Sequence, residues 1–379
     1  MDKQRNCLKF TQTMKILHVL YSGLGGHGNV FFSMIKADVS KQMEYQALFY
    51  GIEDVKSEYI EQCDENNIQY FFAKKKLGID IHYYWLILKY IKKTKADIVF
   101  LHGSAYILPA KITSFFSKKK CRIIIRETQA NHLKTKTQWI TLSFAMLLAD
   151  KIVCLTKEFN GQIREKMKYL YKNEKVIVIP NGIDLEVFKP KEGKLDRNEF
   201  NIGMQSRIIN IKDHITLLKA FATVKKSEGA KGKILTLTIA GDGELKEELI
   251  RLSEELAIND AVIFTGILEE KDLIDFLQTL DLYIHASLGE TMSTAIMQAM
   301  ACRLPIIASD VDGINNMITK SVTGILVPVK DELLLAEAII DCIKNPVMTK
   351  SLAENAYQHA LNNFSHQTMF AEYKRSVFM

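Results

Sequence analysis

Arg207 and Lys212 are the first pair of side chains whose types and spacing suggest chemistry. They lie five residues apart, after a short apolar run that reads as a strand. Cations held at the carboxyl end of a strand suit a diphosphate, because a departing diphosphate gains charge that must be neutralised. Two surface cations taken alone are, however, more often merely solvated, so this pair needs support from other parts of the chain.

Glu290 marks a second candidate site. It follows the apolar run Leu282–His285, and the small residues Ser293 and Thr294 come just behind it at the start of a helical stretch. A phosphate at that helix N-terminus would meet backbone N–H groups and the favourable end of the helix dipole. Glu290 could serve as a capping carboxylate, but its place at the end of a strand is better explained by a ligand with sugar hydroxyls.

A third candidate is the segment Tyr21-Ser-Gly-Leu-Gly-Gly-His-Gly28, whose glycines lie between a strand and a helix. Glycines allow backbone N–H groups to approach an anion closely. The spacing is not that of the dinucleotide-binding GxGxxG motif, and no acidic residue closes the next strand. A plain tight turn explains the segment nearly as well.

Short apolar runs alternate with helix-length amphipathic stretches along the whole chain. The runs are rich in Val, Ile and Phe and nearly continuous, which is typical of strands buried on both faces. The predicted strands of the first half are Lys15–Leu20, Tyr45–Phe49, Ile68–Phe72, Asp97–Leu101, Cys121–Ile125, Lys151–Leu155 and Val176–Ile179. Those of the second half are Phe200–Met204, Leu235–Ile239, Ala261–Phe264, Leu282–His285, Pro305–Ala308 and Gly324–Val327. This alternation predicts an α/β fold.

The series of strands and helices restarts after the polar segment Phe188–Arg197. We therefore expect an N-terminal Rossmann-like domain over 1–190 and a second one over 191–355, with that segment as linker and hinge. The last stretch, 356–379, is expected to be a helix that can pack back on the first domain. The two doubly wound domains would face each other across a cleft, with the carboxyl ends of both sheets turned towards it.

Composition excludes several classes of protein. Of the 379 residues, 47% are apolar, which excludes a disordered or collagen-like chain. No stretch approaches the roughly 18 apolar residues that span a bilayer, and the polar N-terminus does not resemble a signal peptide. The six cysteines are scattered without metal-ligand spacing, which favours reduced thiols over a disulfide or zinc framework. These observations predict a soluble, cytoplasmic protein.

The formal net charge of +6 is unevenly distributed. Residues 1–190 carry a net charge of +12 and residues 191–379 a net charge of −6. Three runs in the basic half combine aromatic residues with lysines: Tyr70–Lys76, His82–Lys93 and Ile112–Lys120. Such runs suit an anionic membrane surface, although each one could equally be core aromatics beside solvated lysines. Nucleic acid is disfavoured as a partner because no recognised binding motif accompanies the charge.

Taken in order, the motifs of this chain resemble those of the family-4 glycosyltransferases. The matching segments are Gly25-Gly26, Ile179–Asp184, Gly203–Arg207, Lys212–His214, Ile239–Gly243, Ser287–Pro305 and Thr323–Pro328. The resemblance implies a GT-B fold and an enzyme that moves a sugar, with retention, from a nucleotide-diphosphate sugar to a glycan or lipid-linked acceptor. UDP-sugar is the donor we expect, in cell-surface polysaccharide or glycolipid biosynthesis. The first domain would hold the acceptor and the second the donor.

The resemblance also implies roles for individual residues. Arg207 and Lys212 would bind the donor diphosphate, and Glu290 would hold the donor sugar. His102, which follows a strand of the first half, matches a position near the reacting carbon, although a satisfied loop imidazole is the alternative. The other donor-binding residues implied are Gly25, Gly26, Thr291, Met292, Ser293, Thr294 and Gln298. No cofactor is expected besides the nucleotide sugar, which is a substrate.

Three positions depart from the family pattern. Gln298 replaces the second glutamate of a paired motif that normally receives the ribose hydroxyls, Arg303 replaces a glycine, and Asn316 replaces a glutamate. These departures leave two rival functions open: a nucleotide-sugar-binding subunit without catalysis, and a nucleotide-sugar epimerase of the same fold. The sequence Asp310-Val-Asp312 spells a metal-binding DxD, but it occupies a turn late in the second domain, so we expect no metal site there.

Overall fold

The computed structural model describes residues 13–23, 25–77, 80–191, 198–227 and 230–379. Its first sheet holds seven parallel strands in the order β3-β2-β1-β4-β5-β6-β7. The strands are β1 (Met14–Tyr21), β2 (Met43–Gly51), β3 (Gln69–Lys74), β4 (Ile98–Leu101), β5 (Arg122–Arg126), β6 (Lys151–Cys154) and β7 (Val176–Val178). The seven strands predicted for the first half are confirmed.

The second sheet holds six parallel strands in the order β10-β9-β8-β11-β12-β13. They are β8 (Glu199–Gln205), β9 (Ile234–Ala240), β10 (Val262–Gly266), β11 (Leu282–His285), β12 (Ile306–Ser309) and β13 (Ile325–Val327). The predicted strands of the second half are confirmed as well. Both sheets reverse their strand order beside the first strand of the series, which is where doubly wound folds open a ligand crevice.

Helices cover both faces of each sheet. Those of the first series are α1 (Gly26–Ala37), α2 (Ser57–Glu65), α3 (Ile81–Thr94), α4 (Ile107–Phe116), α5 (Lys136–Leu148) and α6 (Lys157–Lys166). Those of the second are α7 (His214–Lys226), α8 (Lys246–Glu255), α9 (Glu270–Thr279), α10 (Thr294–Ala301), α11 (Asp312–Asn315), α12 (Glu332–Lys344), α13 (Pro346–Asn363) and α14 (His366–Tyr373). Neighbouring residues Ile16 and Leu17 of β1 enter two different core clusters, which explains the continuous apolar pattern of the strands.

The last residues cross from the second domain to the first. Helix α13 packs against α10, whereas α14 packs against α1, so the predicted single helix over 356–379 is divided into two. The crossing point is held by Ile183, whose N–H donates to the Phe364 carbonyl and whose carbonyl accepts from the His366 N–H. Most of the predicted linker, residues 192–197, lies outside the described residues. None of the helices described here has the length and apolar character needed to cross a membrane.

Candidate functional site

Segments at the carboxyl ends of the two sheets are in contact, through hydrogen bonds such as those of Thr291 with Thr128 and of Asn316 with Thr156. Doubly wound folds bind their ligands at this end of the sheet. From the second domain, the segments after β8 and β11 bring Arg207 and Glu290 to this edge. From the first domain, the glycine-rich loop after β1 lies over the start of α10: a Cβ built on Gly26 would be 3.6 Å from Thr294 Oγ1. Residues that are far apart in the chain therefore meet across one cleft.

Lys212 and Glu290 form an ion pair in which Glu290 Oε1 accepts from the Lys212 ammonium. The same oxygen accepts a 3.0 Å hydrogen bond from His285 Nε2. Both charged side chains are largely buried, at 12% and 16% exposure. Because two donors hold the Glu290 carboxylate, its position is fixed, and the ion pair in turn restricts the movement of the Lys212 side chain.

Burial lowers the pKa of Lys212, and the nearby positive charge of Arg207 lowers it further. The Glu290 carboxylate opposes both effects, because an adjacent negative charge favours the charged ammonium. The pKa of His285 lies well below its ordinary value, first because the ring is buried and second because Lys212 is close. His285 is therefore neutral at pH 7 and carries its proton on Nε2, where it donates to Glu290.

A second histidine orients the loop that carries Lys212. His214 Nδ1 donates to the Lys212 carbonyl at 2.7 Å, and its Nε2 is 3.0 Å from Ser206 Oγ. Since the carbonyl can only accept, Nδ1 holds the proton and Nε2 accepts from the serine hydroxyl. Burial lowers the pKa of His214 to about 4, which keeps the ring neutral.

Arg207 differs from Lys212 in being exposed, and the structure gives its guanidinium no ion-pair partner within the described residues. The positive charge of Arg207 lowers pKa values on both sides of the cleft. It contributes to the lowered pKa of Lys212 in its own domain and, after burial and Arg126, to that of His27 in the first domain. An exposed, unpaired guanidinium at this position is available to an anion that enters the cleft.

The start of α10 brings together four of the predicted donor-binding residues, Thr291 to Thr294. Ser293 caps the helix by accepting from the Ile296 N–H at 3.4 Å. Thr291 Oγ1 donates to the Thr128 carbonyl of the first domain at 2.7 Å, and the Met292 sulfur accepts from the Asn181 N–H at 3.2 Å. The loop between Glu290 and α10 is thus in contact with the first domain at two points.

Each of the three departures from the family pattern has its own environment. Gln298 is buried, and none of the residues that the structure describes makes a hydrogen bond to its Oε1. Arg303 adopts a left-handed conformation with φ 57°, the region that favours glycine, and its guanidinium pairs with Glu354 at 3.1 Å and stacks over Tyr357. Asn316 Nδ2 donates to Thr156 Oγ1 of the first domain at 3.2 Å.

On the first-domain side, His102 and Gly25 lie at the predicted edge. His102 is buried, and its Nε2 is 3.1 Å from Nδ1 of His18, one residue pair that the sequence did not suggest. Burial lowers the pKa of both rings, that of His18 to about 3. The Gly25 N–H donates to the Tyr59 hydroxyl at 3.0 Å, so the glycine-rich loop is anchored from below.

Sequence reasoning missed several residues of this site. His285 is the last residue of a buried strand and lies five residues before Glu290, a signal that could have been used. The partners Thr128 and Thr156 follow strands of the first domain and belong to no motif, whereas Asn181 lies in the matching segment Ile179–Asp184, which did not indicate this contact. The DxD carboxylate Asp312 accepts from Gln162 Nε2 at 2.7 Å. In the part of the chain that the structure describes, no group of three His, Cys, Asp or Glu side chains could hold a metal ion.

Two family models match consecutive parts of the chain. The model described as Glycosyltransferase Family 4 matches residues 24–187, and the model described as Glycosyl transferases group 1 matches residues 186–359. Together they include the glycine-rich loop of the first domain and the whole second-domain side of the cleft.

Two curated relatives are informative. The chain is 25% identical over 295 residues to the UDP-Gal:alpha-D-GlcNAc-diphosphoundecaprenol alpha-1,3-galactosyltransferase of Escherichia coli, with 74% of each protein covered. It is 32% identical over 229 residues to the alpha-monoglucosyldiacylglycerol synthase of Streptococcus pneumoniae, which covers 57% of this chain and 50% of the relative. By name, the first relative is a galactosyltransferase and the second a synthase of a glucosylated diacylglycerol.

Solved structures agree over nearly the whole chain. The Anabaena protein Alr3699/HepE in complex with UDP and glucose matches with a TM-score of 0.81 at 20% identity, covering 96% of this chain and 99% of that one. The sucrose-phosphate synthase of Thermosynechococcus elongatus matches with a TM-score of 0.78 at 15% identity, covering 96% and 98%. The shared architecture is the predicted GT-B arrangement of two Rossmann-like domains.

Proposed function

The chain belongs to the family-4 glycosyltransferases, and from this premise we propose that it moves a sugar, with retention, from a UDP-sugar to a glycan or lipid-linked acceptor. The second domain binds the donor and the first domain the acceptor. The product would enter a cell-surface polysaccharide or a glycolipid. The enzyme would work on the cytoplasmic side, peripherally on the inner face of the membrane.

The observation that carries this proposal is the convergence at the start of α10. Lys212 and Glu290 form an ion pair just before this helix, and Lys212 feels the positive charge of Arg207. Gln298 lies in the helix, and its buried oxygen lacks a partner among the described residues. A buried acceptor atom without a donor is costly, and a ribose hydroxyl would supply that donor. Gln298 can therefore keep a ribose contact although it lacks the charge of a glutamate.

In this scheme, departure of UDP is assisted by charges that are already in place. Arg207 is free to bind the diphosphate, and Lys212 is held next to it by its ion pair with Glu290. The first N–H groups of α10 have no partners within the helix and add the positive end of its dipole. Because these groups are fixed before the reaction, little reorganisation is needed as negative charge develops.

Retention would follow from attack on the same face of the sugar that UDP leaves. A double displacement needs a free carboxylate beside the reacting carbon, but the Glu290 carboxylate is engaged by Lys212 and His285. Glu290 is then suited to orient sugar hydroxyls, with Gly25 and Gly26 closing the cleft from above. His102 would lie near the reacting carbon, with its ring oriented by His18.

The acceptor proposal draws on the names of the relatives. The Escherichia coli relative is named for a sugar linked to diphosphoundecaprenol and the Streptococcus pneumoniae relative for a diacylglycerol lipid. A lipid-linked acceptor would bring the enzyme to a membrane, which suits the basic N-terminal domain. We propose no metal or other cofactor, so chelation with EDTA should leave turnover unchanged.

The proposal is tested first by donor binding. At a UDP-sugar concentration about one hundred times Kd, bound donor should add roughly 2.7 kcal/mol to the free energy of unfolding. Thermal shifts with UDP-glucose, UDP-galactose, UDP-N-acetylglucosamine and GDP-mannose would identify the donor. Transfer to lipid extracts, followed by NMR of the anomeric linkage, would then test retention. Inversion of the anomeric centre would contradict the proposal.

The same assays separate the two rival functions. Tight UDP-sugar binding without turnover on any lipid extract would favour a catalytically silent subunit, for which the motivation is Gln298, Arg303 and Asn316. Donor incubated alone would yield an isomerised sugar if the protein were an epimerase. A shift with GDP-mannose in place of the UDP-sugars would leave sugar transfer intact and correct only the choice of donor.

A further inference from the structure

Helix α4 exposes an apolar stripe to the outside of the molecule. Leu108, Ile112, Phe115 and Phe116 follow helical spacing, and the two phenylalanines are each 75% exposed. The opposite side of α4 is also apolar and packs into the core through Ile107 and Ala110. A surface helix normally presents polar residues to water, so an apolar outer stripe indicates contact with something other than water.

The two neighbouring helices extend this surface. Helix α4 packs between α3 and α5 on one face of the first sheet. Helix α5 exposes Ile140, Phe144 and Leu147 at helical spacing, and α3 exposes apolar and aromatic side chains in its first half. The exposed members of α3 are Ile81, Tyr84 and Trp85. We call the outer side of α3, α4 and α5 the three-helix face.

The charges on the three-helix face are of one sign. None of the helices α3, α4 and α5 contains an aspartate or glutamate. Exposed lysines follow the apolar residues: Lys89, Lys92 and Lys93 at the end of α3, and Lys118 and Lys120 after α4. Lys119, which lies between the last two, pairs with Asp97. The Lys89 ammonium lies 5.0 Å from the centre of the Trp85 ring. Aromatic and aliphatic side chains beside lysines, on helices that contain no carboxylates, complement an anionic lipid headgroup region.

We propose that the three-helix face lies on the anionic surface of a lipid bilayer. Its apolar stripes would enter the headgroup boundary while its lysines contact lipid phosphates. A protein partner would need carboxylates and apolar side chains in a matching pattern. An anionic bilayer presents negatively charged headgroups and apolar acyl chains over its whole surface, so no such pattern is needed. The three-helix face would thus be the part of the basic domain that contacts the membrane.

This placement also gives the cleft an orientation, a point that rests on the proposed function. Helix α4 begins at Ile107, five residues after His102, and α5 begins shortly after Thr128, which is bonded to Thr291 across the cleft. The starts of α4 and α5 therefore adjoin the open edge of the first domain, whereas Phe115, Phe116 and the lysines lie at the other end of the three-helix face. A lipid-linked acceptor could keep its tail in the bilayer while its head group reaches the site near His102.

The experiment is co-sedimentation of the full chain with phosphatidylcholine vesicles, with and without phosphatidylglycerol. We expect binding that requires the anionic lipid and decreases with salt. The double variant Phe115→Ser/Phe116→Ser should lower partitioning about tenfold or more, because two exposed rings no longer enter the interface. Lys118→Gln/Lys120→Gln should lower it about thirtyfold, since each lysine near an anionic surface contributes about 1 kcal/mol.

Matched controls come from the second domain. Leu333→Ser/Val347→Ser removes equally exposed apolar residues, and Lys320→Gln/Lys350→Gln removes two exposed lysines. Neither control should change vesicle binding. All variants should keep the thermal shift with UDP, which shows that they are folded and that the donor site is intact.

The outcomes separate this inference from the proposed function. Absence of vesicle binding by a protein that transfers sugar would overturn the membrane assignment and leave the function standing. Vesicle binding without any donor use would do the reverse. If sedimentation velocity shows a dimer that Phe115→Ser/Phe116→Ser dissociates, the face joins two copies of the chain and the bilayer is not its partner. Equal loss of binding in the controls would also overturn the inference.

Discussion

The two walls of the cleft are built on the same topology but satisfy their polar groups differently. On the second-domain wall, Lys212, Glu290 and His285 form one connected network. Buried polar atoms without partners among the described residues are more numerous on the first-domain wall, where they are His18 Nε2, His102 Nδ1, Glu127 Oε2, and Nε and Nη1 of Arg126. Only Nη2 of that arginine is bonded, to Asn181 Oδ1. The second wall has two such partnerless atoms, Oε1 of Gln205 and Oε1 of Gln298.

This difference indicates which kind of ligand each wall suits. A network of paired charges is arranged in advance for a ligand of known charge, as a diphosphate would be. Buried polar atoms without partners cost free energy, and such a cost is tolerated where a ligand can supply the missing hydrogen bonds. The first wall has a buried ion pair of its own, Lys134 with Glu127 at 3.4 Å, but among the described residues no carboxylate pairs with the nearly fully buried Arg126. Under the proposed function, these partnerless groups would suit an acceptor with hydroxyl or anionic groups.

The largest expected effect tests the charges of the second wall. Arg207→Ala removes the exposed guanidinium that would bind the diphosphate, and turnover with UDP-sugar should fall by about a hundredfold to a thousandfold. The matched control is Arg251→Ala on the exposed side of α8, which should leave turnover unchanged. Steady-state kinetics measure both. Unchanged turnover in Arg207→Ala would mean that another group receives the diphosphate.

The next prediction compares the buried histidines of the two walls. His18 and His102 on one wall, and His214 and His285 on the other, have pKa values below the ordinary value of 6.5, chiefly because they are buried. Above pH 6.5 both folded and unfolded chains keep these rings neutral. Below pH 6.5 these rings bind protons in the unfolded chain but stay neutral in the folded chain, so the free energy of unfolding decreases as the pH falls.

Each of these rings should lower the free energy of unfolding by about 1.4 kcal/mol per pH unit in that range. Urea denaturation at a series of pH values between 7.5 and 5 gives the slope. This slope reports the number of protons that the chain takes up on unfolding. His18→Asn and His214→Asn should each reduce that number by about one. A stability that does not change over this range would show that the rings are charged or unfolded already.

A smaller effect concerns the position of Glu290. A Cβ on Gly313 would lie 2.1 Å from the Glu290 carbonyl, so Gly313→Ala must displace that loop. We expect the Kd for UDP-sugar to rise about tenfold, because displacement near the site misplaces the groups that bind the donor. Gly161→Ala in α6 is the control, since no atom lies within 4 Å of its Cβ position. Isothermal titration with UDP decides the matter, and equal Kd values for both variants would contradict the argument.

The smallest effect tests the bond that connects the walls. Asn316 and Thr156 are joined by a 3.2 Å hydrogen bond across the cleft. A double-mutant cycle with Asn316→Ala and Thr156→Ala, in which the free energy of unfolding is measured, should give a coupling energy of about 1 kcal/mol. The same cycle between Asn316 and Thr223, which lies on α7, should give no coupling. Additive effects at Asn316 and Thr156 would mean that the hydrogen bond does not hold the domains together.

Much of the fold could be predicted because its signals are local. Apolar runs such as Ile98–Leu101 and the restart near Phe200 depend only on neighbouring residues, and these runs are the strands of the two sheets. The division of the C-terminal stretch could not be predicted, because α13 and α14 have similar compositions. They differ in the surface that each one meets, α10 for the first and α1 for the second.

The candidate site was predictable in part for a related reason. Arg207, Lys212 and Glu290 lie at the ends of strands in one domain, so strand order alone brings them to one edge. The partners from the first domain, Thr128 and Thr156, lie in the segments that follow β5 and β6 and belong to no motif. Nothing in their local sequence reports a contact with residues more than 150 positions away.

By itself, the sequence determined the alternation of strands and helices, the unequal charge of the two halves and the motifs at the strand ends, because these are properties of neighbouring residues. Only the tertiary structure decided which side chains meet across the cleft. It also decided that Arg303 is accommodated by Glu354 and Tyr357, and that α3, α4 and α5 turn one apolar, lysine-bearing face outwards. The physical reason is that burial, hydrogen-bond pairing and exposure are properties of contacts, and contacts between distant residues exist only in the folded chain.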